Sequence, residues 1–513
     1  MKEWSFDIDE PLKIGLRRDY RLKSNSGLFT RMMNIEPTEY GAAPFSYIQI
    51  PWTPAQLNSV GIELNFPFPQ LVRLKKYTLL LGSDYVFMVS EDDWTLTQLT
   101  TYDFHSQSDE KDIAQGSYWQ YVDFWDTFVL TNGVCSIWYD RFTDKLLVED
   151  TVRFTATTDY KGRAIFAGFD IEKHWSSAWS IYWASVGSSL VGNSPRELGP
   201  NWIKWTSVGR GLDTMIKADM SQLDLLRNDF GDMPMEDRSL ICGVRKLGEK
   251  IVSYSNKEAT LLSHKSSPNS TIGVDKYELC PGIRNVGALN GDRKNHIFVS
   301  SDDELWWIGE NFQPILLGYK EYLSQMTGDV IVSHNESTGN YYIASQDKTY
   351  NMTWNRSKNQ PQGFSEANQR ITSCIYTGSY AYGMGTICNL DEEVIKWYIV
   401  SDEFDMGKTG DKSIRWITFF GNEGRLDETE GTIQARVHAR SEYTKNFYQS
   451  SWRSINKKGS CHFPLVGKDF KLELRGYDFR EVNIHRIEIT VQHDDKRFTR
   501  GLNVNQINSG TNQ

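Results

Sequence analysis

KIVSYSNKEATLL (residues 250–262), HIFVSSDDELWWIG (296–309) and YYIASQDKTYNMTW (341–354) repeat one pattern about 45 residues apart. Each stretch has an apolar run, a turn rich in Ser, Asp and Asn, and a second apolar or aromatic run. YVFMVSEDDWTLTQL (85–99) and TFVLTNGVCSIWYD (127–140) follow the same pattern earlier in the chain. A repeat of this length with several short strands is typical of a β-propeller, in which no single blade can bury its faces alone. We therefore expect an all-β fold containing a β-propeller of six or seven blades.

The sequence around the repeats predicts three regions. Residues 1–60 are expected to form an irregular N-terminal segment with some β structure, and residues 61–400 the propeller. The rhythm breaks at about 187–237, where we expect an insertion between blades that faces a partner. Beyond residue 401, KLELRG (471–476) and HRIEITV (485–491) alternate apolar and polar residues. This alternation predicts an additional antiparallel β element, followed by a polar tail, in residues 401–513.

The composition is that of a soluble globular protein, with 39% hydrophobic and 24% charged residues among 513. Aromatic residues make up 13% of the chain, which favours strands and suits contacts between subunits. The formal net charge is −10. Because a protein that wraps nucleic acid tightly needs a basic face, this charge argues against such binding. Transient, non-specific contact with DNA that slides past remains compatible with it.

The beginning of the chain, MKEWSFDIDEP (1–11), lacks the basic and apolar regions of a secretory signal. No apolar run approaches the roughly 18 residues of a membrane-spanning helix. We therefore expect assembly in a cytoplasm and no membrane-spanning segment. The cysteines are scattered without a CxxC pair, which predicts buried free thiols. They are Cys135, Cys242, Cys280, Cys374, Cys388 and Cys461.

One repeat carries a motif similar to the Asp box of sialidases: Ser300-x-Asp302 followed by Trp307, with Glu304 in place of the usual glycine. The Asp box is a structural β-turn even in sialidases, since its carboxylate serves the backbone of the turn. We therefore assign structural roles to the polar and aromatic residues of the repeats. The predicted blade turns are Ser90, Asn132, Ser255, Ser301, Asp302 and Ser345, and the predicted blade aromatics are Trp138, Trp183, Trp306, Trp307 and Trp354.

The rest of the sequence offers no catalytic constellation. A sialidase-like site needs an arginine cluster that grips a carboxylate, but residues such as Arg163, Arg210 and Arg284 do not occupy matched places in successive repeats. The histidines occur singly, without the spacing of metal ligands. No glycine-rich phosphate cradle precedes a helix. We therefore predict no catalytic residues, no cofactor and no metal.

Three segments in order resemble the tail nozzle proteins of short-tailed bacteriophages, also called tail tubular or packaged-DNA-stabilisation proteins. FPFPQLVRLKKYTLLLGSDYVFMVS (66–90) with YWQYVDFWDTFVLTNGVCSIWYD (118–140) resembles the opening blades of that family. GRAIFAGF (162–169) and AWSIYWASVGSS (178–189) resemble a middle blade, and residues 281–318 a late one. The resemblance covers about residues 65–350, and no functional residue is carried over by it.

The resemblance implies a structural virion protein located in the phage tail. Such a protein forms a ring, expected to be a hexamer, which continues the DNA channel and helps retain packaged DNA before genome delivery. Its expected partners are further copies of itself, portal or adaptor ring proteins, tail fibre or spike proteins, and DNA passing through. An enzyme is not expected.

Two other functions stay open at this point. The Asp-box-like turn and the many tryptophans would also fit a propeller glycosidase or depolymerase, or a sugar-binding protein acting on host surface polysaccharide. A cellular scaffold of the WD-repeat type is disfavoured, because no repeat ends in Trp-Asp or starts with Gly-His.

Overall fold

The computed structural model is almost entirely β and separates into two compact units. Unit 1 combines Met1–Tyr47, Tyr350–Asn368 and Ile387–Gln513, and unit 2 combines Ile48–Thr349 with Gln369–Thr386. The structure describes residues 3–18, 28–45, 48–62, 69–104, 106–124, 127–150, 152–170, 199–206, 231–267, 270–378, 380–387, 397–408, 410–421, 424–426, 433–476 and 483–493.

Unit 2 is a succession of antiparallel sheets in chain order, which we number 1 to 7. Sheet 1 contains Gln70–Arg73, Thr78–Leu81, Val86–Val89 and Leu96–Gln98. Sheet 2 contains Gln120–Phe124, Thr127–Thr131, Ser136–Asp140 and Lys145–Glu149, and Thr101–Asp103 pairs with the last of these in parallel. Sheet 3 contains Phe154–Tyr160, Arg163–Phe169, Trp202–Trp205 and Gly231–Pro234, and sheet 4 contains Ile241–Leu247, Lys250–Ser255, Glu258–Ser267 and Ser270–Pro281. Sheet 5 contains Leu289–Gly291, Asn295–Val299, Leu305–Gly309 and Pro314–Gly318; sheet 6 contributes Ile331–His334 and Tyr341–Ala344; sheet 7 contains Gln369–Thr377 and Tyr380–Ile387. Two short helices accompany them, Pro54–Ser59 and Lys320–Leu323.

Each sheet buries its faces against the next sheet. Val72 and Leu79 of sheet 1 pack with Trp119 and Phe128 at sheet 2 in one fully buried cluster. Similar clusters lie between sheets 2 and 3, 3 and 4, and 4 and 5. At about 25 cal/mol per Å² of apolar surface removed from water, this inter-sheet packing is the main source of stability, as expected where a single sheet has two apolar faces.

Hydrogen bonds join neighbouring sheets and close the series. Ser333 Oγ of sheet 6 donates to the Ile371 carbonyl of sheet 7 at 3.3 Å. Sheet 7 is joined in turn to sheet 1, because the Leu71 amide donates to Ser373 Oγ at 2.6 Å. The first strands of the sheets pack mainly against one another, so these strands surround a common axis. In a closed series of this kind every sheet has a neighbour on each of its two faces.

The structure confirms the predicted all-β fold of propeller type with several four-stranded sheets. Sheets 6 and 7 each contribute two of the described strands to unit 2, so the blade number of six or seven stays a prediction.

Unit 1 contains two larger sheets. One holds Glu3–Ile8, Arg486–His493, Lys412–Gly421, Gly424–Arg425 and Ser460–Gly467; the other holds Thr349–Asn355, Gln360–Glu366, Phe29–Met33, Trp397–Ser401, Asp469–Gly476, Ile433–Arg440, Tyr448–Gln449 and Arg453–Ser454. A hairpin of Ile35–Pro37 with Ala42–Pro44 and a helix, Glu10–Ile14, complete the described elements. Ile433–Arg440 and Asp469–Gly476 alternate buried and partly exposed residues, which is the pattern that the sequence predicted for an antiparallel element here.

The unit boundaries can be set beside the predicted regions. Residues 350–368, which the repeats placed in the propeller, cluster with unit 1. The predicted insertion at 187–237 contains two strands of sheet 3, Trp202–Trp205 and Gly231–Pro234. Residues 187–198 and 207–230 lie outside the described residues. Among the described residues, every helix is too short or too polar to cross a membrane.

Candidate functional site

Three of the repeat turns are built in the same way around a buried serine. Ser255 ends the second strand of sheet 4, while Ser300 and Ser345 directly follow the second strands of sheets 5 and 6; each serine is at most 5% exposed. Their hydroxyls accept hydrogen bonds from the amides of Glu258 at 2.9 Å, Glu304 at 3.2 Å and Lys348 at 3.2 Å, respectively. These serines therefore cap their turns. The hydroxyls of Ser255 and Ser345 also lie 2.8 and 2.7 Å from the carboxylate oxygens of Asp237 and Asp347.

The two other predicted turn residues at strand ends act similarly. Asn132 in sheet 2 is buried, and its Oδ1 accepts from the amides of Val134 at 3.0 Å and Cys135 at 2.9 Å. Ser90 in sheet 1 forms a backbone bond from its amide to the Thr95 carbonyl at 3.0 Å. Asn132 directly follows the second strand of sheet 2 and Ser90 the third strand of sheet 1, each at the start of the turn to the next strand.

The Asp-box-like motif is rearranged relative to its sialidase counterpart. Asp302 is exposed, and within the described part of the chain it forms no hydrogen bond or ion pair. The turn bond expected of its carboxylate is made instead by the hydroxyl of the preceding Ser300. Ser301 lies in the same turn and donates its amide to the Gly282 carbonyl at 3.0 Å.

The predicted blade aromatics that the structure describes lie in strands. Trp138 is 4% exposed, and its Nε1 donates to Ser136 Oγ at 2.7 Å. Trp306 packs into the core between sheets 4 and 5, whereas Trp307 Nε1 donates to Asn295 Oδ1 at 2.9 Å. Trp354 belongs to Thr349–Asn355 in unit 1. Trp183 lies outside the described residues.

Arg284, one of the arginines considered for a sugar-carboxylate site, instead secures a loop. Its NH1 lies 2.9 Å from Asp303 Oδ1, and its NH2 donates to the carbonyls of Met326 at 2.9 Å and Gly328 at 3.1 Å. Its guanidinium is therefore occupied by the protein itself.

The first strands of sheets 2 to 6 bring a different set of side chains to the axis of unit 2. Tyr121 lies on the first strand of sheet 2 and is 43% exposed, although burial raises the pKa of its phenol. Arg245 on the first strand of sheet 4 is close enough to act electrostatically on Tyr121. Side chains of two separate sheets therefore converge here.

Ion pairs also join different sheets of unit 2. Asp159 Oδ2 of sheet 3 lies 3.8 Å from Lys246 Nζ and 3.9 Å from Arg293 NH2. Asp123 of sheet 2 accepts from the Lys75 amide at 2.6 Å, while burial and the nearby Asp159 raise the pKa of its carboxyl. Asp159 thus pairs with a basic residue of sheet 4 and with one in a turn of sheet 5.

Metal ligands and reactive thiols do not assemble in the described residues. No group of three or more His, Cys, Asp or Glu side chains there could hold a metal ion. The described cysteines are free, and burial raises the pKa of each thiol, for example to about 11 at Cys135 and to about 12 at Cys280. A raised pKa lowers the thiolate fraction, and with it nucleophilicity. Cys388 lies outside the described residues.

On unit 1, the outward positions of two strands carry arginines held between carboxylates and aromatic rings. The guanidinium carbons of Arg436 and Arg475 lie 4.6 and 4.1 Å from the centroid of the Trp452 ring. Arg436 also donates to Glu473, whose other oxygen lies 2.8 Å from His438 Nε2. This face is ordered and carries both charges, which suits polar recognition more than a general attraction to phosphate.

Sequence reasoning missed Arg245 and Tyr121. Both lie in strands whose apolar neighbours predicted sheet structure, and nothing in their local pattern distinguishes them from other outward residues. Their proximity arises only when sheets 2 and 4 are arranged around an axis, so the signal is tertiary.

Comparisons with known proteins give no family. No family model matches the chain, and no curated protein is detectably similar in sequence. Similar solved structures include the extracellular domain of a candidate one-component system from B. thetaiotaomicron, with 9% identity, a TM-score of 0.34, and coverage of 93% of this chain and 64% of that one. The Neurospora crassa Pan2 WD40 domain has 10% identity, a TM-score of 0.33, and coverage of 61% and 86%.

A third similar structure is PorZ, a surface component of the type-IX secretion system of Porphyromonas gingivalis. It has 9% identity and a TM-score of 0.33, with coverage of 78% of this chain and 53% of that one. The chain thus spans less than two thirds of the first and third structures. At these TM-scores the similarities carry no argument about function.

Proposed function

We propose that this protein is a structural component of a phage tail, forming a ring that continues the DNA channel, helps retain packaged DNA and anchors fibres or spikes. The observation that carries the proposal is the use of the repeat polar residues. Ser255, Ser300 and Ser345 all cap turns, which makes the repeats rigid rather than reactive. The order of the segments that resemble tail nozzle proteins supports the same role.

Closure of unit 2 also supports a role in resisting mechanical force. Sheet 7 is bonded to sheet 6 through Ser333 and to sheet 1 through Ser373, so no sheet of the series is held from one side alone. A wall of this kind resists local opening, because an opened sheet must lose packing on both of its faces. Pressure from packaged DNA would be borne in this way.

Charge supports passage of DNA without retention on the wall. The chain carries 66 acidic and 56 basic residues. Many of the basic groups are paired with carboxylates, as at Lys111, whose Nζ lies 2.8 Å from both Asp103 and Asp150. A cation paired in this way is less available to a phosphate, and non-specific DNA affinity depends on the number of available cations.

Exposed aromatic side chains offer surfaces for contacts between copies. Tyr443 and Tyr40 of unit 1 are 88% and 68% exposed, and Phe142 and Tyr380 of unit 2 are 68% and 60% exposed. Single exposed aromatics are common, but they also supply much of the energy of interfaces when buried. Subunit contacts through some of these residues would be consistent with ring formation.

The test is the assembly state of the purified protein, alone and mixed with portal and adaptor rings, by native mass spectrometry and electron microscopy. A ring of copies coaxial with the portal is expected. Serine variants of Tyr40, Phe142, Tyr380 and Tyr443 are compared with Asp302→Ala, an exposed change without partners in the described structure. At least one aromatic variant should weaken the ring, and the control should not. A monomer under all these conditions would contradict the proposal.

A further inference from the structure

Arg245 is a partly buried cation whose charge the described protein does not neutralise. Its only hydrogen bond within the described residues is a long one, from NH1 to the Gly291 carbonyl at 3.5 Å. Its Nε is buried and makes no hydrogen bond there. None of the described carboxylates lies within 4.0 Å of its guanidinium. This differs from Arg284 and Arg436, each of which has a carboxylate partner.

The surroundings of Arg245 are aromatic and neutral. Its positive field acts on the phenols of Tyr118 and Tyr341 and on the ring of His296, which come from three different sheets or their approaches. Burial keeps all three neutral by raising the pKa of the phenols and lowering that of the imidazole. A desolvated guanidinium among neutral groups is costly unless an anion joins it.

The nearest acidic groups have other roles or stand apart. Asp292 Oδ1 accepts from the amides of Lys294 and Asn295, both at 2.8 Å. Asp123 is bound by Lys75. Glu336 is exposed, and its negative field raises the pKa of Tyr121 and Tyr341. These carboxylates weaken the local attraction for an anion but do not reach the guanidinium.

Tyr121 is the solvent-accessible neighbour of Arg245 in this part of unit 2. Its side chain is 43% exposed, and the field of Arg245 acts on its phenol. A phenolic hydroxyl can donate to an oxygen that a guanidinium also binds, and charge-assisted bonds of this type are about twice as strong as neutral ones. The two residues therefore supply a positive charge and a second donor.

We propose that Arg245, assisted by the hydroxyl of Tyr121, binds a small oxyanion at the axis of unit 2, either a carboxylate or a phosphate group. The inference is independent of the ring function. It assigns a ligand class to a residue that otherwise carries an unneutralised charge into the interior.

Binding is tested on the full chain by thermal unfolding and calorimetry in buffers of equal ionic strength containing chloride, acetate or inorganic phosphate. Acetate or phosphate should raise the unfolding temperature with the logarithm of its concentration, and chloride should not. The acetate and phosphate arms identify which oxyanion is preferred. Equal unfolding temperatures in all three buffers would overturn the proposal.

Variants locate the site. Arg245→Gln should lose the response, and Tyr121→Phe, which removes an exposed hydroxyl, should weaken binding roughly tenfold, as expected for one charge-assisted hydrogen bond. Arg293→Gln changes an arginine whose side chain is 69% exposed and should bind like the wild type.

The unfolding temperature of Arg245→Met tests the proposal without any added ligand. In chloride alone it should unfold at the same temperature as the wild type or higher, because the variant removes an unpaired buried charge. A large loss of stability in Arg245→Met would instead identify a structural arginine and contradict the proposal. If Arg245→Gln fails to fold, oxyanion binding by Tyr121→Phe is compared with binding by Arg293→Gln. Equal binding by these two variants would overturn the role of Tyr121.

Discussion

The hydroxyl of Tyr254 lies 2.8 Å from Nδ1 of His296, across the boundary between sheets 4 and 5. The other ring nitrogen, Nε2, lies 3.1 Å from the Lys246 carbonyl, which can only accept a proton. Nε2 therefore carries the hydrogen, and Nδ1 accepts from the tyrosine. The imidazole is thus neutral and fully occupied, which fixes its role as a connector between two sheets.

Acid should destabilise the protein through His296. Desolvation, aided by the field of Arg245, lowers the pKa of this imidazole from 6.5 to about 3. The unfolded chain therefore binds a proton below pH 6.5 that the folded chain does not, so stability falls as the pH drops from 6.5 towards 3. The slope from this one group is about 1.4 kcal/mol per pH unit.

Urea unfolding at pH 7, 6, 5 and 4 measures this slope. His296→Gln should be less stable at pH 7, because a buried hydrogen-bonding ring is lost, but its stability should depend less on pH. His264→Gln, at an exposed position, is the control and should keep the wild-type slope. Parallel curves for wild type and His296→Gln would contradict the assignment.

The serine caps should contribute measurably to stability. Ser300→Ala removes the buried hydroxyl that accepts from the Glu304 amide, and we expect a loss of about 1–3 kcal/mol in the free energy of unfolding. Ser301→Ala, one residue later and exposed, should change it by less than about 0.5 kcal/mol. Denaturant titration of the two variants provides the comparison, and equal losses would show that the hydroxyl of Ser300 is not the cap.

Sheet 7 should tolerate no side chain at Gly385. A Cβ there would lie 1.8 Å from the Arg370 carbonyl oxygen of the paired strand, so the backbone must move. We expect Gly385→Ala to lower the free energy of unfolding by about 1–3 kcal/mol, the usual range for overpacking. In Gly309→Ala the nearest atom is 3.5 Å away, and its unfolding free energy should stay close to that of the wild type. Similar stability of both variants would mean that sheet 7 is not tightly paired.

Native protein should react slowly with thiol reagents at pH 8. Burial raises the pKa of Cys135 and Cys242 to about 11 and that of Cys280, Cys374 and Cys461 to about 12. At most one of the six thiols should therefore titrate rapidly before denaturation, and all six afterwards. Rapid titration of two or more in the native state would be incompatible with this packing.

The repeat itself could be predicted from sequence because each unit is local. Ser255, Ser300 and Ser345 are 45 residues apart, and strand, turn and strand follow one another within about 15 residues, so short-range patterning determines them. The serine that caps the turn in sheet 5 is Ser300, however, although Ser301 was the predicted turn residue. Neighbouring serines are equivalent by composition, and only the end of the strand at Val299 selects between them.

The arrangement of strands that are distant in the sequence could not be predicted from such local patterns. Residues 350–368 have the sequence pattern of a blade. They nevertheless belong to unit 1 with the chain termini, because the strand Gln360–Glu366 pairs with the strand Phe29–Met33. Arg245 and Tyr121 similarly meet only through the placement of sheets 2 and 4. Pairings between residues more than a hundred positions apart leave no periodic trace in a single sequence.

The bond between the Leu71 amide and Ser373 Oγ joins residues 302 positions apart. During synthesis, the chain leaves the ribosome with sheet 1 first, and the partner that covers it follows only after some 300 further residues. Sheets 2 to 5 can assemble progressively on sheet 1, but the cluster on its other face, to which Trp52, Leu57 and Ile62 also belong, is completed only when Ile375 and Met384 of sheet 7 have been made. Folding of unit 2 is therefore completed late, and the nascent chain is most vulnerable to aggregation at the apolar face around Leu71 and Leu80.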